Sequence, residues 1–297
     1  MRLQHIHLPS SPPAFPSYRQ AASLQEHLRR QLLNAKDSPT HTPAPPPTLI
    51  SFTPQPTYTL GRRQTSPLTA AETARLQAPL HVSFTQQGDS NSSSSSSSSH
   101  VYRPAILPSP RGGLATYHGP GQVVLWAVAD LHAAGRPALT VRAYSRLLED
   151  STSRVLARLF GLATTTTSDP GVWVDRGGGG GGGARKVAAM GVHLRRHVSA
   201  LGVAVNLDMP TDDGADELTS PWARIVACGL EGKGVTSVAG EVGREALGPG
   251  VERAVAAGWA EELARGLGVE GVESVGEDEV MELLRRVKDI SDSGEGV

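Results

Sequence analysis

Hydrophobic residues after Ser17 follow the period of an α-helix. Ser17 and Gln20 fit a capping box, in which two side chains satisfy backbone amides at the start of a helix. The apolar side chains that follow fall on one helical face: Ala21, Leu24, Leu28 and Leu32. We therefore predict a helix that begins at Tyr18 and ends before the proline-rich segment 39–47.

The same helical period recurs later in the chain. One helix is predicted from about Thr140 to Gly161, because glycine suits the left-handed conformation that ends many helices. Its inward-facing side chains are expected to be Tyr144, Leu148, Val155 and Leu159. Two further helices are predicted, over residues 251–267 and 279–288.

Between these helices the apolar residues alternate or cluster over short stretches, as they do in β-strands. Strands are predicted over residues 49–52, 57–60, 101–107, 122–131, 186–194, 197–207 and 223–228. The serine-rich segment 86–100 and the glycine run 177–183 offer no apolar side chains to bury, so we expect an unstructured insertion at each. The pattern predicts one α+β domain over residues 1–290, followed by a frayed tail at 291–297.

Composition excludes several classes of function. A formal net charge of −1 gives no general attraction to nucleic acid or acidic membranes, and no apolar stretch could span a bilayer. A single cysteine excludes an internal disulfide and a multi-cysteine metal site. At the N-terminus we expect neither a secretory signal nor a clear mitochondrial presequence, since Pro12, Pro13 and Pro16 interrupt the first residues.

A glycine-rich block from Arg111 to Gln122 is the first candidate site. It places Arg111 and His118 among four glycines and a proline, directly before the apolar segment 123–128. Glycine lets a ligand approach the main chain closely, so the block predicts a pocket wall. A hairpin loop with a surface histidine is the alternative.

Cys228 is the second candidate, because it follows apolar residues and precedes a glycine-rich turn that contains Lys233. The thiolate is the reactive form of cysteine, and a nearby ammonium group lowers the pKa of a thiol. Lys186 or Lys233 could supply that charge, and spacing alone does not choose between them. The alternatives are a buried, unreactive cysteine and a solvated lysine at a strand edge.

Other histidines and the glycine run give weaker evidence for a functional site. His193 and His197 lack the glutamate of a zinc-protease helix and lie in strand-like surroundings, so no metal site is expected there. The glycine run is not followed by the Gly-Lys-Ser/Thr of a phosphate-binding loop. His5 and His7 are expected to be solvated.

Several blocks together, in this order, resemble the lipoyl(octanoyl) transferases. They are residues 59–63, 111–122, 171–174, 186–192, 202–206, 228–230 and 235–237. The resemblance runs from about Tyr18 to Ser237 and more loosely to Lys288. It implies the catalytic fold of biotin and lipoate protein ligases, a mixed sheet flanked by helices. The chain departs from the family at Leu201, where histidine is common, and at Ala227, where proline is common.

The resemblance implies an acyltransferase of lipoate biosynthesis that works through an acyl-thioester intermediate. Cys228 matches the nucleophile that takes an octanoyl group from acyl carrier protein. Lys186 matches the lysine that lowers its pKa and can act as general base. The matching substrate-binding positions are Arg111, Gly112, Gly113, Leu114, Ala115, Thr116, Tyr117, His118, Ala189, Met190, Gly191, Gly202, Val203 and Ala204.

The resemblance also implies partners and a location. The donor would be octanoyl-acyl carrier protein, and the acceptors lysines of lipoyl domains in 2-oxoacid dehydrogenase complexes and of the glycine cleavage H protein. It implies no cofactor, metal, nucleic acid or membrane. The insertions look like those of a eukaryotic, fungal-like member, for which a soluble mitochondrial protein is implied. Two alternatives are an ATP-dependent lipoate or biotin protein ligase on the same fold, and a non-catalytic module that binds acyl carrier protein or lipoyl domains.

Overall fold

A computed structural model describes residues 1–38, 44–86, 96–175, 183–211, 216–225 and 234–293. Cys228 and Lys233 lie outside the described residues, as do segment 87–95 and most of the glycine run. The helices are Tyr18–Asp37 (α1), Ala70–Leu76 (α2), Val141–Phe160 (α3), Val238–Val242 (α4), Val251–Gly266 (α5) and Glu277–Ser293 (α6). The strands are Leu3–His7 (β1), Thr48–Phe52 (β2), Thr57–Leu60 (β3), Leu80–Gln86 (β4), Ser96–Tyr102 (β5), Ala105–Pro108 (β6), Ala115–His118 (β7), Gln122–Val128 (β8), Val172–Val174 (β9), Arg185–Arg195 (β10), Val198–Asn206 (β11) and Val272–Ser274 (β12).

The main sheet has seven strands in the order β12-β1-β2-β8-β11-β10-β9. Strands β12, β1 and β2 are parallel, and all later pairs in that order are antiparallel. A second sheet has the order β6-β3-β7, and β4 pairs with β5 alone. The α+β class with a mixed sheet flanked by helices is confirmed.

Strand β8 divides its side chains between two cores, because successive residues of a strand face opposite sides. Val123 and Leu125 pack in the core that includes Trp259 of α5 and residues of α3. Val124 and Trp126 pack in the core that includes residues of α1 and α6. All seven residues of β8 are buried, so this strand lies in the middle of a helix–sheet–helix arrangement.

The two long helices begin where the sequence predicts. Ser17 Oγ accepts a hydrogen bond from Gln20 N at 3.1 Å, and Thr140 caps α3 in the same way. Helix α3 ends at Gly161, which has a φ of 63°. One predicted core residue is wrong: Leu159 is 39% exposed, and Leu156 is buried in its place. Leu159 lies in the last turn of α3, which ends at Phe160.

The N-terminal residues form a strand of the main sheet, so the prediction that His5 and His7 are solvated is wrong. His5 Nε2 and His7 Nδ1 each lie 2.8 Å from Ser51 Oγ on neighbouring strand β2. The Ser51 hydroxyl gives both rings a hydrogen-bond partner. Both rings lie on strand β1, which contacts helix α5. The charge of Arg253 in that helix acts on His7. Burial, as the main cause, lowers the pKa of both histidines to about 4.

Three further predictions change. Residues 96–100 were expected to be unstructured but belong to β5, whose backbone pairing with β4 needs no apolar side chains. Residues 101–107 contain parts of two strands, because Arg103 and Pro104 interrupt the extended pairing between them. Residues 223–225 do not form a strand: Pro221 starts a 3₁₀ helix that ends at Arg224. Helix α2, with its capping box at Thr69, was not predicted.

No helix in the described part of the chain is long and apolar enough to cross a membrane.

Candidate active site

A pocket lies where α1, β7, β8, β10 and β11 meet. It is lined by Tyr18, Arg111, Thr116, His118, Trp126, Ala189, Met190, Gly191, Leu201, Gly202, Val203 and Ala204. The structure thus brings the segment from Arg111 to His118 together with residues 189–191 and 202–204, which pair in the β10–β11 hairpin, and the sequence proposed these segments as one site. We call this cavity the acyl pocket, because the resemblance described above predicts an acyl chain as its ligand.

The acyl pocket is narrow. It contains about 370 Å³ of empty space including its opening, of which only about 30 Å³ can be reached by the centre of a water molecule. A bound chain therefore requires side chains to shift. Met190 is the most adaptable of the lining residues, because its unbranched thioether has three rotatable bonds.

Five proposed substrate-binding residues do not line the pocket. Strand β7 alternates, so Thr116 and His118 face the pocket while Tyr117 packs against Tyr58 with ring centroids 5.3 Å apart. The others that do not line it are Gly112, Gly113, Leu114 and Ala115. Conversely, Tyr18, Trp126 and Leu201 line the pocket but were not proposed. Their apolar character predicts core positions, and no sequence signal separates a pocket wall from a core.

Arg111 contributes its aliphatic stem to the pocket wall, because its charged end is held elsewhere. Its guanidinium donates to the Thr59 carbonyl at 2.6 Å and to the Thr59 hydroxyl at 2.9 Å. A Cβ added at Gly191 would lie 2.9 Å from Arg111 Cδ. The stem therefore lies against the β10 backbone, in the manner of a long charged side chain that covers apolar surface.

Leu201 and Gly202 form a second part of the wall. Leu201 has a φ of 65° although it is not glycine, and it is buried. This left-handed conformation costs roughly 1–2 kcal/mol for an ordinary residue. A Cβ added at Gly202 would lie 2.2 Å from the Leu125 carbonyl oxygen, so the two backbones approach as closely as only glycine allows.

We expect Gly202→Ala to lower the free energy of unfolding by about 2–3 kcal/mol, because the added methyl forces β8 and β11 apart. Urea denaturation measures this change. Gly248→Ala is the matched control, since a Cβ at that exposed glycine meets nothing within 4 Å. Equal stability of the two variants would contradict the close approach of the strands.

A chain of buried hydrogen bonds runs from the acyl pocket towards Lys186. His118 Nδ1 lies 2.8 Å from Gln122 Oε1, and Gln122 Nε2 donates to Asn206 Oδ1 at 2.8 Å. Asn206 Nδ2 then donates to the Thr236 carbonyl at 2.9 Å. Thr236 N donates to the Lys186 carbonyl, also at 2.9 Å. Gln122 and Asn206 were not predicted from the sequence as part of this network; the available signal is a polar residue at the end of a fully buried strand.

His118 is buried within this network. Burial is the main cause that lowers its pKa to about 4, while its hydrogen bond with Gln122 opposes the shift. The ring also stacks on Tyr18, with centroids 5.4 Å apart. At neutral pH the imidazole is therefore uncharged and fixed in orientation.

Lys186 is buried and does not behave as a solvated charge at a strand edge. Its Nζ lies 4.6 Å from the centroid of the Trp173 ring, a cation–π distance. Its backbone N donates to the Gly234 carbonyl at 3.0 Å, which pairs Lys186 with the chain at Val235. Cys228 precedes Gly234 by six residues in the sequence and lies outside the described residues.

Within the ranges that the structure describes, no group of three or more His, Cys, Asp or Glu residues is placed to hold a metal ion. His193 Nδ1 accepts from Arg29 at 2.9 Å, whereas His197 stacks on His132 with centroids 3.7 Å apart. The two histidines that are four residues apart thus have different partners.

Comparisons with known proteins give one consistent result. The family described as "Lipoyl protein ligase A/B catalytic domain" matches residues 104–259. The Danio rerio protein named octanoyl-(acyl-carrier-protein):protein N-octanoyltransferase LIPT2, mitochondrial, is 32% identical over 77% of this chain and 80% of its own. A Schizosaccharomyces pombe protein named "Probable octanoyltransferase" is 30% identical over 80% of this chain and 86% of its own. A bipartite lipoate protein ligase from Thermoplasma acidophilum has a similar fold, with a TM-score of 0.54, 13% identity and coverage of 97% of this chain and 91% of its own.

Proposed function

This chain belongs to the lipoyl(octanoyl) transferases of the lipoyl protein ligase A/B catalytic-domain family, and from that premise we propose how it works as an acyltransferase. Cys228 takes an octanoyl group from acyl carrier protein as a thioester and passes it to a lysine of a lipoyl domain. This is the first step of protein lipoylation. The observation that carries the proposal is the acyl pocket, in which the block from Arg111 to His118 meets two family motifs of the β10–β11 hairpin.

The acyl pocket suits a saturated chain. Ala189, Val203 and Ala204 are small or apolar, and the stem of Arg111 closes one side. Burying the seven methylene and methyl carbons of an octanoyl group at about 0.8 kcal/mol each contributes about 5 kcal/mol before the costs of binding. At Leu201 the chain has an apolar side chain where the family commonly has histidine, which extends the apolar wall.

Lys186 supplies the charge that the first step needs. Its buried ammonium would hold the Cys228 thiol as thiolate, which attacks the thioester carbonyl and displaces the carrier arm as a thiolate. That thiolate takes a proton from the Lys186 ammonium and leaves as a thiol, which makes Lys186 neutral. Gly234, whose carbonyl accepts a hydrogen bond from Lys186, follows Cys228 by six positions in the sequence. Such a segment spans at most about 20 Å, so the chain allows the two side chains to meet.

In the second step Cys228 is the leaving group, and Lys186 acts as a base. The ε-amine of the acceptor lysine attacks the Cys228 thioester, an amide bond forms, and the cysteine leaves as thiolate. The attacking amine must lose a proton, and Lys186 in its neutral form can take it. One residue thus serves as charge in the first step and as base in the second, which is consistent with its burial against Trp173.

The acceptors we propose are the lipoyl domains of 2-oxoacid dehydrogenase complexes and the glycine cleavage H protein. Support comes from the structural relative, whose description names a lipoylation system with an E2 lipoyl domain. The name of the Danio rerio relative supports octanoyl-acyl carrier protein as donor and the mitochondrion as location.

Intact-mass spectrometry tests the proposal directly. After incubation with octanoyl-acyl carrier protein, the protein should gain the mass of one octanoyl group, and peptide mapping should place it on Cys228. Addition of a lipoyl domain should move that mass to the acceptor. Transfer of free octanoate that depends on ATP and forms no acyl-enzyme would instead identify a ligase, and carrier binding without mass gain would identify a binding module.

A further inference from the structure

A second cavity opens beside the acyl pocket. It is lined by Arg62, Arg63, Pro110, Gly112, Val192, His193 and Leu194, and we call it the arginine groove. About 450 Å³ of it can be reached by the centre of a water molecule, so it is open where the acyl pocket is narrow. The two cavities are neighbours along β10, because Gly191 lines the pocket and the next three residues line the groove.

The backbone of the arginine groove is fixed to the wall of the acyl pocket. Arg62 N donates to the Arg111 carbonyl at 2.9 Å, and Arg63 N donates to the Gly113 carbonyl at 3.1 Å. A Cβ at Gly61 would lie 2.4 Å from the Gly113 carbonyl oxygen, so this turn packs directly on the glycine-rich block. The two arginines are therefore held at a set position relative to the pocket.

The groove carries an excess of positive charge. Arg62 and Arg63 are exposed, and no ion pair between described residues joins either of them to a carboxylate. Burial, followed by the charges of Arg29 and Arg62, lowers the pKa of His193, and the carboxylate of Glu26 only partly opposes this. Because the whole chain has a formal net charge of −1, this cationic patch is a local feature.

We propose that the arginine groove binds the phosphate of the thiol arm that carries the acyl group, a pantetheine-type arm that ends in a phosphate ester. The inference rests on the proposed function, since it assigns a place to the donor of that reaction. The acyl chain would enter the pocket, and the arm would follow β10 outwards along Val192 to Leu194.

The chemistry of the lining favours a phosphate on an arm over an acidic protein surface. Two neighbouring guanidinium groups offer paired N–H donors that match phosphate oxygens. Pro110, Val192 and Leu194 give the groove apolar sides that suit a slender organic arm.

Two small donors test this proposal with the full-length protein: S-octanoyl-pantetheine, which lacks phosphate, and S-octanoyl-4′-phosphopantetheine. The rate constant of acyl-enzyme formation at low donor concentration is measured by intact mass for each. We expect the wild-type protein to prefer the phosphorylated donor by about 10–100-fold, as one or two charge-assisted hydrogen bonds would give. In the R62A/R63A double variant the ratio should fall close to one, and 0.5 M salt should reduce it in the wild type.

Arg146→Ala is the matched control, because Arg146 is exposed on α3 and does not line the groove. It should keep the wild-type ratio. A wild-type ratio near one, or an unchanged ratio in the double variant, would overturn the proposal. Loss of rate with octanoyl-acyl carrier protein but no change in the ratio would also overturn it, and would assign the arginines to an acidic protein surface. If neither donor acylates the wild type, the proposed function itself fails.

Discussion

Cys228→Ser should reduce octanoyl transfer to a lipoyl domain by at least about 10³-fold, with no acyl-enzyme detectable by mass. A serine hydroxyl is far less ionised than a thiol at neutral pH, and a lysine ammonium cannot activate it. The chain has no second cysteine that could replace Cys228. Single-turnover transfer from octanoyl-acyl carrier protein, followed by the mass of the lipoyl domain, measures the effect.

The substitution exchanges one atom, so folding should be unaffected and the thermal midpoint should stay close to that of the wild type. This comparison separates lost chemistry from lost structure. Full transfer by the serine variant would show that the acyl group reaches the acceptor without passing through Cys228. The mechanism proposed above would then be wrong, although the family membership would stand.

Lys186→Met should slow transfer by about 10²–10³-fold at pH 7. Without the ammonium the Cys228 thiol returns towards its ordinary pKa of about 8.5, so less thiolate is present at neutral pH. The direction of the pH dependence follows from this pKa: the rate of acyl-enzyme formation in the variant should recover as the pH rises through about 8.5. Rates of acyl-enzyme formation, measured by mass between pH 6 and 10, give the profile.

Lys186→Arg separates the two roles of this residue. Arginine retains the positive charge but does not lose its proton in proteins, so it should support formation of the acyl-enzyme better than methionine does. In the Lys186→Arg variant the second step, attack of the acceptor amine on the thioester, should fail. The acyl-enzyme should therefore accumulate in the presence of a lipoyl domain. Lys288→Met, on the exposed side of α6, is the control for loss of a lysine. An unchanged pH profile in Lys186→Met would contradict the role of the ammonium.

Helices α1 and α3 were predictable because their signals are local. Ser17 and Thr140 cap the first turns, and Gly161 ends α3, so neighbours in the sequence decide the boundaries. Strand β1 was not predictable in this way. His5 is buried only because Ser51 on another strand provides a hydrogen-bond partner, and that partner is 46 residues away.

In the candidate site, too, some features follow from the local sequence and others from tertiary packing. Glycine and lone polar residues identified the block from Arg111 to His118, and three of its residues, Arg111, Thr116 and His118, line a pocket in the structure. The sequence did not distinguish Thr116, which lines that pocket, from Tyr117, which packs away from it. That distinction depends on which face of β7 meets the main sheet. Tyr18 and Trp126 became pocket residues through tertiary packing alone.

The chain of hydrogen bonds that leads from His118 through Gln122 and Asn206 to Thr236 also determines the tautomer of the histidine. The Thr236 carbonyl can only accept, so Asn206 must present its amide nitrogen there and its oxygen to Gln122. Gln122 must then present its oxygen to His118, which places the imidazole proton on Nδ1. Since the pKa of this ring is about 4, Nε2 is unprotonated at neutral pH. A backbone carbonyl next to Lys186 in the fold thus dictates that Nε2 of His118 accepts hydrogen bonds and does not donate them.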